Sequence, residues 1–526
     1  MNRFSLLVGL FLLLAAGAVS AQSTLVFGQS GLPVSLDSAD AQDGNSLLVA
    51  RQITERLVDM APGSSDLVAG LATSWSASKD STVWTFSLRA GVNFHDGTPF
   101  NAEAVKFNFD RWNDPSHPYH LREEGKNYVP WSDFVFGGFL NEGSPLLEVR
   151  VVDDLTVEFH MDKPLGLFPN MLAAIYFQID SPAAVMAAGA DYGTPGVGSV
   201  GTGPFKFVEW REGELVSLER NDDYWGEVAA SERLVIRGIQ DPTARLAELR
   251  AGAIDIAIQL APGDLPIVEG DPNLETALPD SELNVGYLSF HQGNPPFDNP
   301  LVREAVAYAI DRELIIDAFY EGLGTVAQDF LPPQMWGHSE SAVARPYNPE
   351  RAKVLLREAG FADGFDTELW FMPVSRPYFP SPEPIATAMA TFLADVGINA
   401  ELKTIDWATY LQQYRQGAFP MYMLGWNADY ADPDNFLFTF FGPSAVDTQG
   451  WDDPQTRELL GFAREASDPV DRQELYAKVQ TRVTEHVPRV PIAHNRSLTA
   501  IRTNVEGVIP SPVSPSEIPL HLVSKQ

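Results

Sequence analysis

The stretch GWNADYADPDNF, residues 425–436, places three aspartates within six positions. Such carboxylates can hold a metal ion, act as an acid and base pair, or bind a positively charged group. An EF-hand calcium loop requires acidic groups at positions 1, 3 and 5, a glycine at 6 and a glutamate at 12. Counted from Asp429, the aspartates stand at 1, 4 and 6, and position 12 is Phe440. The spacing argues against calcium, whereas a pair of catalytic carboxylates stays open.

The two later aspartates have the pattern of a turn followed by a helix. Asp432 precedes a proline and Asp434 precedes an asparagine, which is typical of turns and helix starts. Asp429 instead follows the apolar run MYMLGW, which predicts a strand. Strand ends in an α/β protein face a crevice, so a carboxylate there suits an ammonium group. Trp426 would add an aromatic wall, although ordinary core packing explains a tryptophan equally well.

A second strand end carries a cation. The stretch FMPVSRPY, residues 371–378, places Arg376 just after an apolar run and a proline. Its planar guanidinium suits a carboxylate, and a surface salt bridge is the alternative in a chain with 70 acidic residues. Taken together, Asp429 and Arg376 predict a site for a zwitterion. An extended dipeptide spans about 7 Å between its termini.

Other patterns that resemble catalytic or cofactor motifs lack their structural context. The stretch GVGSVG at Gly196–Gly201 matches a dinucleotide fingerprint but has no strand before it and no helix after it. His117 and His120 have a metal-like spacing, but a proline and loop-like residues surround them. The chain contains no cysteine, which excludes thiol catalysis and disulfides. We therefore predict no catalytic residues, no metal, no cofactor and no enzymatic activity.

Strands and helices alternate along the chain in a way that predicts two α/β lobes. The first half favours strands, at Thr24–Gly28, Val83–Arg89, Phe205–Trp210, Leu215–Arg220 and Leu234–Ile239, with a hairpin over Glu148–Met161 and a helix over Ser46–Leu57. The second half favours helices, at Leu301–Tyr320, Asn348–Ala359, Pro384–Val396, Trp407–Gln416, Asp453–Glu465 and Pro469–His486, with short strands at Thr367–Phe371, Ala400–Thr404 and Met421–Leu424. The alternation predicts mostly parallel sheets, with a β-rich insert in the first lobe.

The whole-chain composition predicts an exported, soluble protein. With 526 residues, the chain is too long for a single core, and its net charge of −34 disfavours nucleic acid as a partner. Arg3, the apolar run Ser5–Leu14 and the small residues before Ala21 have the order of a cleavable signal peptide. The mature chain has no cysteine for a lipid anchor. We expect a periplasmic monomer.

Several longer stretches resemble the family 5 extracellular solute-binding proteins of ABC transporters, the peptide and nickel-binding class. They include SLRAGVNFHDGTPFNAEAVKFNFDR, VGTGPFKFVEW, PPFDNPLVREAVAYAIDRELII, YNPERAKVLLREAGF and the opening stretch. The resemblance implies two lobes that close by a hinge around a ligand, and delivery of that ligand to a membrane permease. The expected division is a signal peptide at 1–21, lobe I at 22–282 with a β-rich subdomain at about 69–195, lobe II at 283–494, and a return to lobe I at 495–526.

Within that family, the stretches around Arg376 and Asp429 are similar to those of dipeptide-binding members. The resemblance implies that Asp429 holds the amino end of the peptide beside Trp426, and that Arg376 holds the carboxylate beside Tyr378. It also implies lobe I contacts from the loop after the first strand, for which Ser30, Gly31 and Leu32 are the weaker candidates. This loop, GQSGLPVSLD, departs from the dipeptide-binding form, which leaves the peptide length open.

The family-wide motifs leave other ligands open. These are an oligosaccharide, glutathione, haem or a nickel chelate, and only the Asp429 and Arg376 pair argues for a peptide. Two other classes of protein are alternatives: a secreted hydrolase that uses Asp429 with Asp432, and an exported receptor or chaperone that docks proteins.

Overall fold

The structure is a computed structural model that describes residues 23–340 and 343–526. The predicted signal peptide, residues 1–21, lies outside the described residues. Within the described ranges, no helix has both the length and the apolar content needed to cross a bilayer. The secondary structure mixes strands and helices throughout, and two large sheets organise it.

The first large sheet has seven strands and forms the base of lobe I. Across the sheet the order is β10 (Phe205–Arg211), β11 (Leu215–Arg220), β12 (Arg233–Gly238), β1 (Thr24–Gln29), β13 (Ile256–Leu260), β21 (Leu498–Arg502) and β14 (Leu274–Thr276). Strand β1 runs parallel to both of its neighbours, and the remaining pairs are antiparallel. Strand β21 therefore inserts a late segment of the chain between two strands from its first half.

A separate four-stranded antiparallel sheet occupies the region for which the β-rich insert was predicted. Its order is β5 (Ala72–Ala77), β6 (Val83–Leu88), β8 (Thr156–Met161) and β7 (Leu146–Asp153). Strands β7 and β8 form the hairpin that the sequence predicts, with Asp153 and Asp154 at its turn. Phe86 and Phe159 lie edge to face in its core, with ring centroids 5.4 Å apart.

The second large sheet has six strands and forms the base of lobe II. Its order is β16 (Gly324–Val326), β20 (Arg489–Asn495), β15 (Asn284–Phe290), β19 (Met421–Asn427), β17 (Phe365–Trp370) and β18 (Ile398–Lys403). All seven residues of the central strand β15 are buried, including the polar Asn284 and Ser289.

The helices cover these sheets, and short two-stranded pairs complete the elements. In lobe I the helices are α1 (Gly44–Ile53), α2 (Ala102–Asn113), α3 (Phe168–Leu172), α4 (Pro182–Ala188), α5 (Pro242–Ala251) and α6 (Leu265–Glu269). In lobe II they are α7 (Pro300–Ala309), α8 (Arg312–Phe319), α9 (Pro349–Glu358), α10 (Pro382–Asp395), α11 (Trp407–Arg415), α12 (Asp434–Phe441), α13 (Ser444–Gln449), α14 (Pro454–Glu465) and α15 (Pro469–His486). The short pairs are β2 (Glu55–Arg56) with β9 (Gln178–Ile179), β3 (Val58–Met60) with β4 (Leu67–Ala69), and β22 (Val505–Glu506) with β23 (Ser524–Lys525).

Two expectations about this architecture are wrong. Both large sheets are mixed rather than mostly parallel, because hairpins and strands that return from the other lobe add antiparallel pairs. The single helix predicted over Leu301–Tyr320 is two helices, α7 and α8. Ile310 is extended, and the Asp311 carboxylate accepts a hydrogen bond from the Leu314 N–H and so caps a new helix.

The chain passes between the two large sheets twice among the described residues. The first connector runs from the end of β14 at Thr276 to the start of β15 at Asn284, and the second runs from the end of β20 at Asn495 to the start of β21 at Leu498. The two connectors are bonded to each other, since the buried Glu282 carboxylate accepts hydrogen bonds from the Ser497 N–H at 2.7 Å and from its hydroxyl at 3.0 Å. Both lobes therefore join through one pair of adjacent, hydrogen-bonded segments.

Candidate functional site between the lobes

Asp429 lies just beyond strand β19, on the side of lobe II that contacts lobe I. Its side chain is only 9% exposed. The Tyr176 hydroxyl of lobe I donates a hydrogen bond to Asp429 Oδ1 at 2.7 Å. The Gly166 N–H donates to the Arg464 carbonyl oxygen at 2.9 Å and makes a second contact between the lobes. Asp429 is therefore at the interface of the two lobes, where a ligand enclosed by both would meet it.

Asn435, in the first turn of α12, fixes the orientation of this carboxylate. Its Oδ1 accepts hydrogen bonds from the Asp429 N–H at 2.8 Å and from the Trp426 indole N–H at 3.0 Å. Because two donors point at this oxygen, the amide cannot flip. Its NH2 group therefore donates to Asp429 Oδ2, at 3.2 Å. Trp426 also packs edge to face on Phe440, with centroids 5.2 Å apart, so its ring is held on two sides.

The protonation of Asp429 is sensitive to its burial. Desolvation raises its pKa to about 6, and the hydrogen bonds from Tyr176 and Asn435 offset part of that effect. No cation is among the causes of the shift. A positively charged group that approached this carboxylate would relieve the cost of its burial, which makes Asp429 a favourable partner for an ammonium ion.

The two neighbouring aspartates have structural roles, as the sequence predicts. Asp432 forms a two-pronged ion pair with Arg472, with nitrogen–oxygen distances of 2.7 and 2.9 Å. Its Oδ1 also accepts a hydrogen bond from the Asp434 N–H at 3.0 Å, at the start of α12. The Asp434 carboxylate accepts from the Tyr430 hydroxyl at 2.9 Å and lies 3.3 Å from the Arg464 guanidinium. Since Asp432 is engaged with Arg472, it is not a second acid or base for Asp429.

Arg376 lies in a tight turn after strand β17. The turn is closed by two backbone hydrogen bonds between Arg376 and Phe379, of 3.1 and 3.0 Å. The guanidinium carbon is 5.0 Å from the centre of the Trp407 ring, a cation–π contact at the start of α11. Among the described residues, no carboxylate lies within 4.0 Å of the Arg376 guanidinium. The surface salt bridge that was the alternative for this residue does not form there.

Tyr378 positions this turn against the central strands of lobe II. Its ring lies on Gly425, where an added Cβ would approach Tyr378 Cδ2 to 2.2 Å. Gly425 is the cross-strand partner of Gly286, where an added Cβ would be 2.7 Å from the Tyr378 carbonyl oxygen. This glycine pair leaves the sheet without side chains at one point, and Tyr378 fills the gap. Burial raises the pKa of Tyr378 to about 12, which keeps its hydroxyl protonated.

The structure places the predicted residues of lobe II after the ends of two neighbouring strands. Tyr378 packs on Gly425, which directly precedes Trp426, and Asp429 follows three positions later. The carboxylate and the guanidinium are thus placed by two neighbouring strands of one sheet, β17 and β19. Each has a group of opposite charge as its natural ligand, and the two together suit a zwitterion.

Ser30, Gly31 and Leu32 belong to a different surface, the end of β1 in lobe I. The Ser30 hydroxyl donates to Asn45 Oδ1 at 3.2 Å, and a Cβ added at Gly31 would meet the Asn45 amide nitrogen at 2.9 Å. Leu32 packs against the core of the seven-stranded sheet. Among the described residues, none of the three forms a hydrogen bond with Asp429 or Arg376.

The most informative residue that sequence reasoning missed is Tyr176. It lies 253 positions before Asp429, and its surroundings, AAIYFQ, give no sign of a polar role. Asn435 and Trp407 were also missed as members of the site, because an asparagine after a proline turn and a tryptophan at a helix start are both common. In the described part of the chain, no group of three or more acidic or histidine side chains is arranged to hold a metal ion.

Comparisons with known proteins identify the family of this chain. Residues 66–448 match the family described as bacterial extracellular solute-binding proteins, family 5 Middle. The chain belongs to this family. Haem-binding protein A of Haemophilus influenzae is 34% identical over 505 residues, covering 94% of this chain and 91% of that protein. The dipeptide-binding protein of Escherichia coli is 33% identical over 531 residues, covering 96% of each.

The fold of this family 5 protein is also that of a solved relative with a bound peptide. The crystal structure of a dipeptide-binding protein from Pseudoalteromonas sp. SM9913, in complex with Met-Leu, has a TM-score of 0.83 and 31% identity to this chain, covering 96% of this chain and 100% of the other. The predicted class, a two-lobe α/β binding protein, is confirmed. Identities of 34% and 33% to a haem binder and a dipeptide binder do not separate the ligands, so the ligand must be argued from the site.

Proposed function

We propose that this family 5 solute-binding protein captures short peptides, chiefly dipeptides, between its two lobes and delivers them to an ABC transporter permease. The single observation that carries the proposal is the placement of two unpaired charges at the ends of two neighbouring strands. Among the described residues, the buried Asp429 carboxylate has no cationic partner and the Arg376 guanidinium has no carboxylate within 4.0 Å. A dipeptide zwitterion supplies the two missing charges about 7 Å apart. In this role the protein binds and releases its ligand unchanged.

In this proposal each site residue has a distinct task. Asp429 holds the peptide ammonium, and Arg376 holds the carboxylate. Trp426 and Tyr378 form the walls of the site and fix the positions of the two charged groups. Ser30, Gly31 and Leu32 form part of the lobe I surface that closes over the peptide. Tyr176 closes with them, because its hydroxyl already reaches Asp429 across the interface.

The proposal also includes the organisation of the chain and its place in the cell. We assign residues 1–21 to a cleavable signal peptide, 22–282 to lobe I, 283–494 to lobe II and 495–526 to the return to lobe I. The two connectors at these boundaries support the division, because each carries the chain from one large sheet to the other. The mature protein is assigned to the periplasm as a monomer, without a lipid anchor and without affinity for nucleic acid.

Calorimetric titration with matched ligands tests the proposal. A dipeptide is compared with its N-acetyl form, which lacks the ammonium, and with its C-terminal amide, which lacks the carboxylate. We expect D429A to lose the preference over the N-acetyl form and R376A to lose the preference over the amide. The controls D222A and R150A remove an acid and a base whose side chains are 74% and 53% exposed, and they should bind as the unaltered protein does.

Two results would contradict the peptide assignment. One is the absence of binding by any member of a dipeptide library to protein freed of co-purified ligand. The other is equal affinity for the dipeptide and both blocked forms. A parallel titration with haem, followed by its Soret absorbance, tests the ligand of the Haemophilus relative. Tight stoichiometric haem binding without dipeptide binding would replace the proposal.

A further inference from the structure

The turn that carries Arg376 is anchored at two successive carbonyl groups. The Asn495 side-chain amide donates a hydrogen bond to the Pro377 carbonyl oxygen at 2.6 Å. The Tyr320 hydroxyl donates to the Tyr378 carbonyl oxygen at 2.8 Å. Both donors are buried, with exposures of 4% and 0%. The backbone on either side of the Arg376 turn is therefore fixed by side chains from two distant parts of the chain.

The two anchors differ in what they are attached to. Tyr320 directly follows helix α8 and lies within lobe II. Asn495 is the last residue of β20 and the first residue of the second connector between the lobes. Two positions later, Ser497 bonds to Glu282 of the first connector. Asn495 thus links the turn that carries Arg376 directly to the segments that must bend when the lobes move.

The main chain of Asn495 is also part of the connector pair. Its N–H donates to Asn284 Oδ1 at 3.0 Å, and its carbonyl oxygen accepts from Asn284 Nδ2 at 2.7 Å. Asn284 is the first residue of β15, where the first connector ends. One residue therefore uses its backbone to hold the two connectors together and its side chain to hold the binding turn.

We propose that Asn495 is a positioning residue that couples capture of the peptide carboxylate at Arg376 to closure of the lobes. This inference rests on the proposed function. When a carboxylate draws Arg376 toward the ligand, the turn moves as a unit because its own backbone bonds close it. The Asn495 side chain transmits that displacement to the connectors through its hydrogen bond to the Pro377 carbonyl oxygen. The lobe arrangement that keeps this hydrogen bond short is therefore favoured. In this proposal the connector pair is a hinge with an open and a closed state, and ligand binding favours the closed state.

The variant N495A isolates this connection. It keeps both main-chain bonds to Asn284 and removes the bond to Pro377. The other amide atom, Oδ1, has no hydrogen-bond partner among the described residues, so nothing else is lost there. The matched control is Y320F, which removes the neighbouring anchor of the same turn at a site that does not belong to a connector. N495L fills the same volume without a donor and serves if the smaller side chain lowers the folded fraction.

The experiment measures affinity and closure with two ligands, a dipeptide and its C-terminal amide. Closure is followed by energy transfer between one dye on each lobe at saturating ligand. In the unaltered protein, the dipeptide should bind more tightly and close the lobes further than the amide. In N495A we expect the affinity ratio of dipeptide to amide to fall by about fivefold, as for loss of one hydrogen bond. The two ligands should then give the same degree of closure.

The control and the failures have distinct signatures. Y320F is expected to keep the difference in closure between the two ligands, even if both bind more weakly. The inference is overturned if N495A and N495L keep the difference in closure of the unaltered protein, or if Y320F abolishes it equally. Failure of the proposed function has a different result: the unaltered protein itself would not distinguish the dipeptide from its amide.

Discussion

Lowering the pH from 7 to 5 is expected to weaken dipeptide binding by protonating Asp429. Burial raises the pKa of this carboxyl to about 6 in the absence of ligand. An ammonium group in contact with it favours the ionised form and lowers its pKa by about one to two units. Binding therefore releases a proton when the pH lies below about 6, and affinity must fall as the proton concentration rises.

The magnitude follows from the ionised fraction of the free carboxyl. With a pKa of about 6, about nine-tenths of the sites are ionised at pH 7 and about one-tenth at pH 5. If the bound pKa is about 4, the dissociation constant rises about tenfold, or about 1.4 kcal/mol. If it is about 5, the rise is about fivefold. The peptide itself stays a zwitterion over this range, since its amino and carboxyl groups titrate near 8 and 3.5.

Calorimetry at half-unit steps from pH 5 to pH 8, in buffers of different ionisation heat, measures both the affinity and the number of protons released. The variant D429N is the control because it retains every other group that titrates here, including Asp180 and Glu282. It should bind more weakly at pH 7, by the 1.5 to 3 kcal/mol that is typical of a charge-assisted hydrogen bond. Its affinity should also change little between pH 7 and pH 5.

A flat affinity profile between pH 7 and pH 5 in the unaltered protein would refute the reasoning. So would a tenfold change that persists in D429N, because another group would then carry the proton. Proton uptake instead of release would show that the ligand binds the neutral carboxylic acid. An acceptor-rich sugar would then be a better candidate than a peptide.

Two further predictions concern the gap in the sheet and the connectors. G425A should lower the free energy of unfolding by about 1–3 kcal/mol and weaken dipeptide binding, because its Cβ would lie 2.2 Å from the Tyr378 ring. The control is G461A in helix α14, where the added Cβ meets no described atom within 4 Å outside its own stretch of helix. In urea denaturation, G461A should leave stability unchanged or raise it slightly, and its dipeptide binding should not change. Burial raises the pKa of Glu282 to about 7 from its ordinary 4.5, so its ionisation destabilises the fold as pH rises through this interval. E282Q should therefore lose less stability between pH 5 and pH 8 than the unaltered protein, and the difference has an upper limit of about 3 kcal/mol. Equal changes of unfolding free energy with pH in the two proteins would contradict this prediction.

The sequence predicts the parts of the fold that local patterns determine. The alternation in the hairpin β7–β8 and the apolar run of β19 each lie where one segment carries its own signal. The direction in which strands pair carries no such signal. Strand β21 lies between β13 and β14 because of contacts made across most of the chain. The break between α7 and α8 was missed because apolar periodicity continues through Ile310 and outweighs the capping signal of Asp311.

In the candidate site too, the features set by local sequence were predictable and those set by remote contacts were not. Asp429 and Arg376 follow recognisable strands. The different roles of Asp429 and Asp432 were predictable from their spacing and from Pro433, which directly follows Asp432. The hydrogen bonds of Tyr176 and Asn495 were not predictable, because each is made to a partner that is remote in sequence, Asp429 for Tyr176 and Pro377 for Asn495. The folded backbone determines which residues meet over such separations, so the local sequence pattern does not indicate the hydrogen bond.

The position of β21 has a consequence for how the chain is made. In the seven-stranded sheet, β14 joins the other strands only through β21 at residues 498–502, although β13 and β14 both end before residue 277. The six-stranded sheet likewise waits for β20 at residues 489–495. A ribosome must therefore synthesise nearly the entire polypeptide before either lobe can complete its central layer, and loop closure over this distance is slow. The two central sheets of such a nascent chain therefore stay incomplete through most of its synthesis.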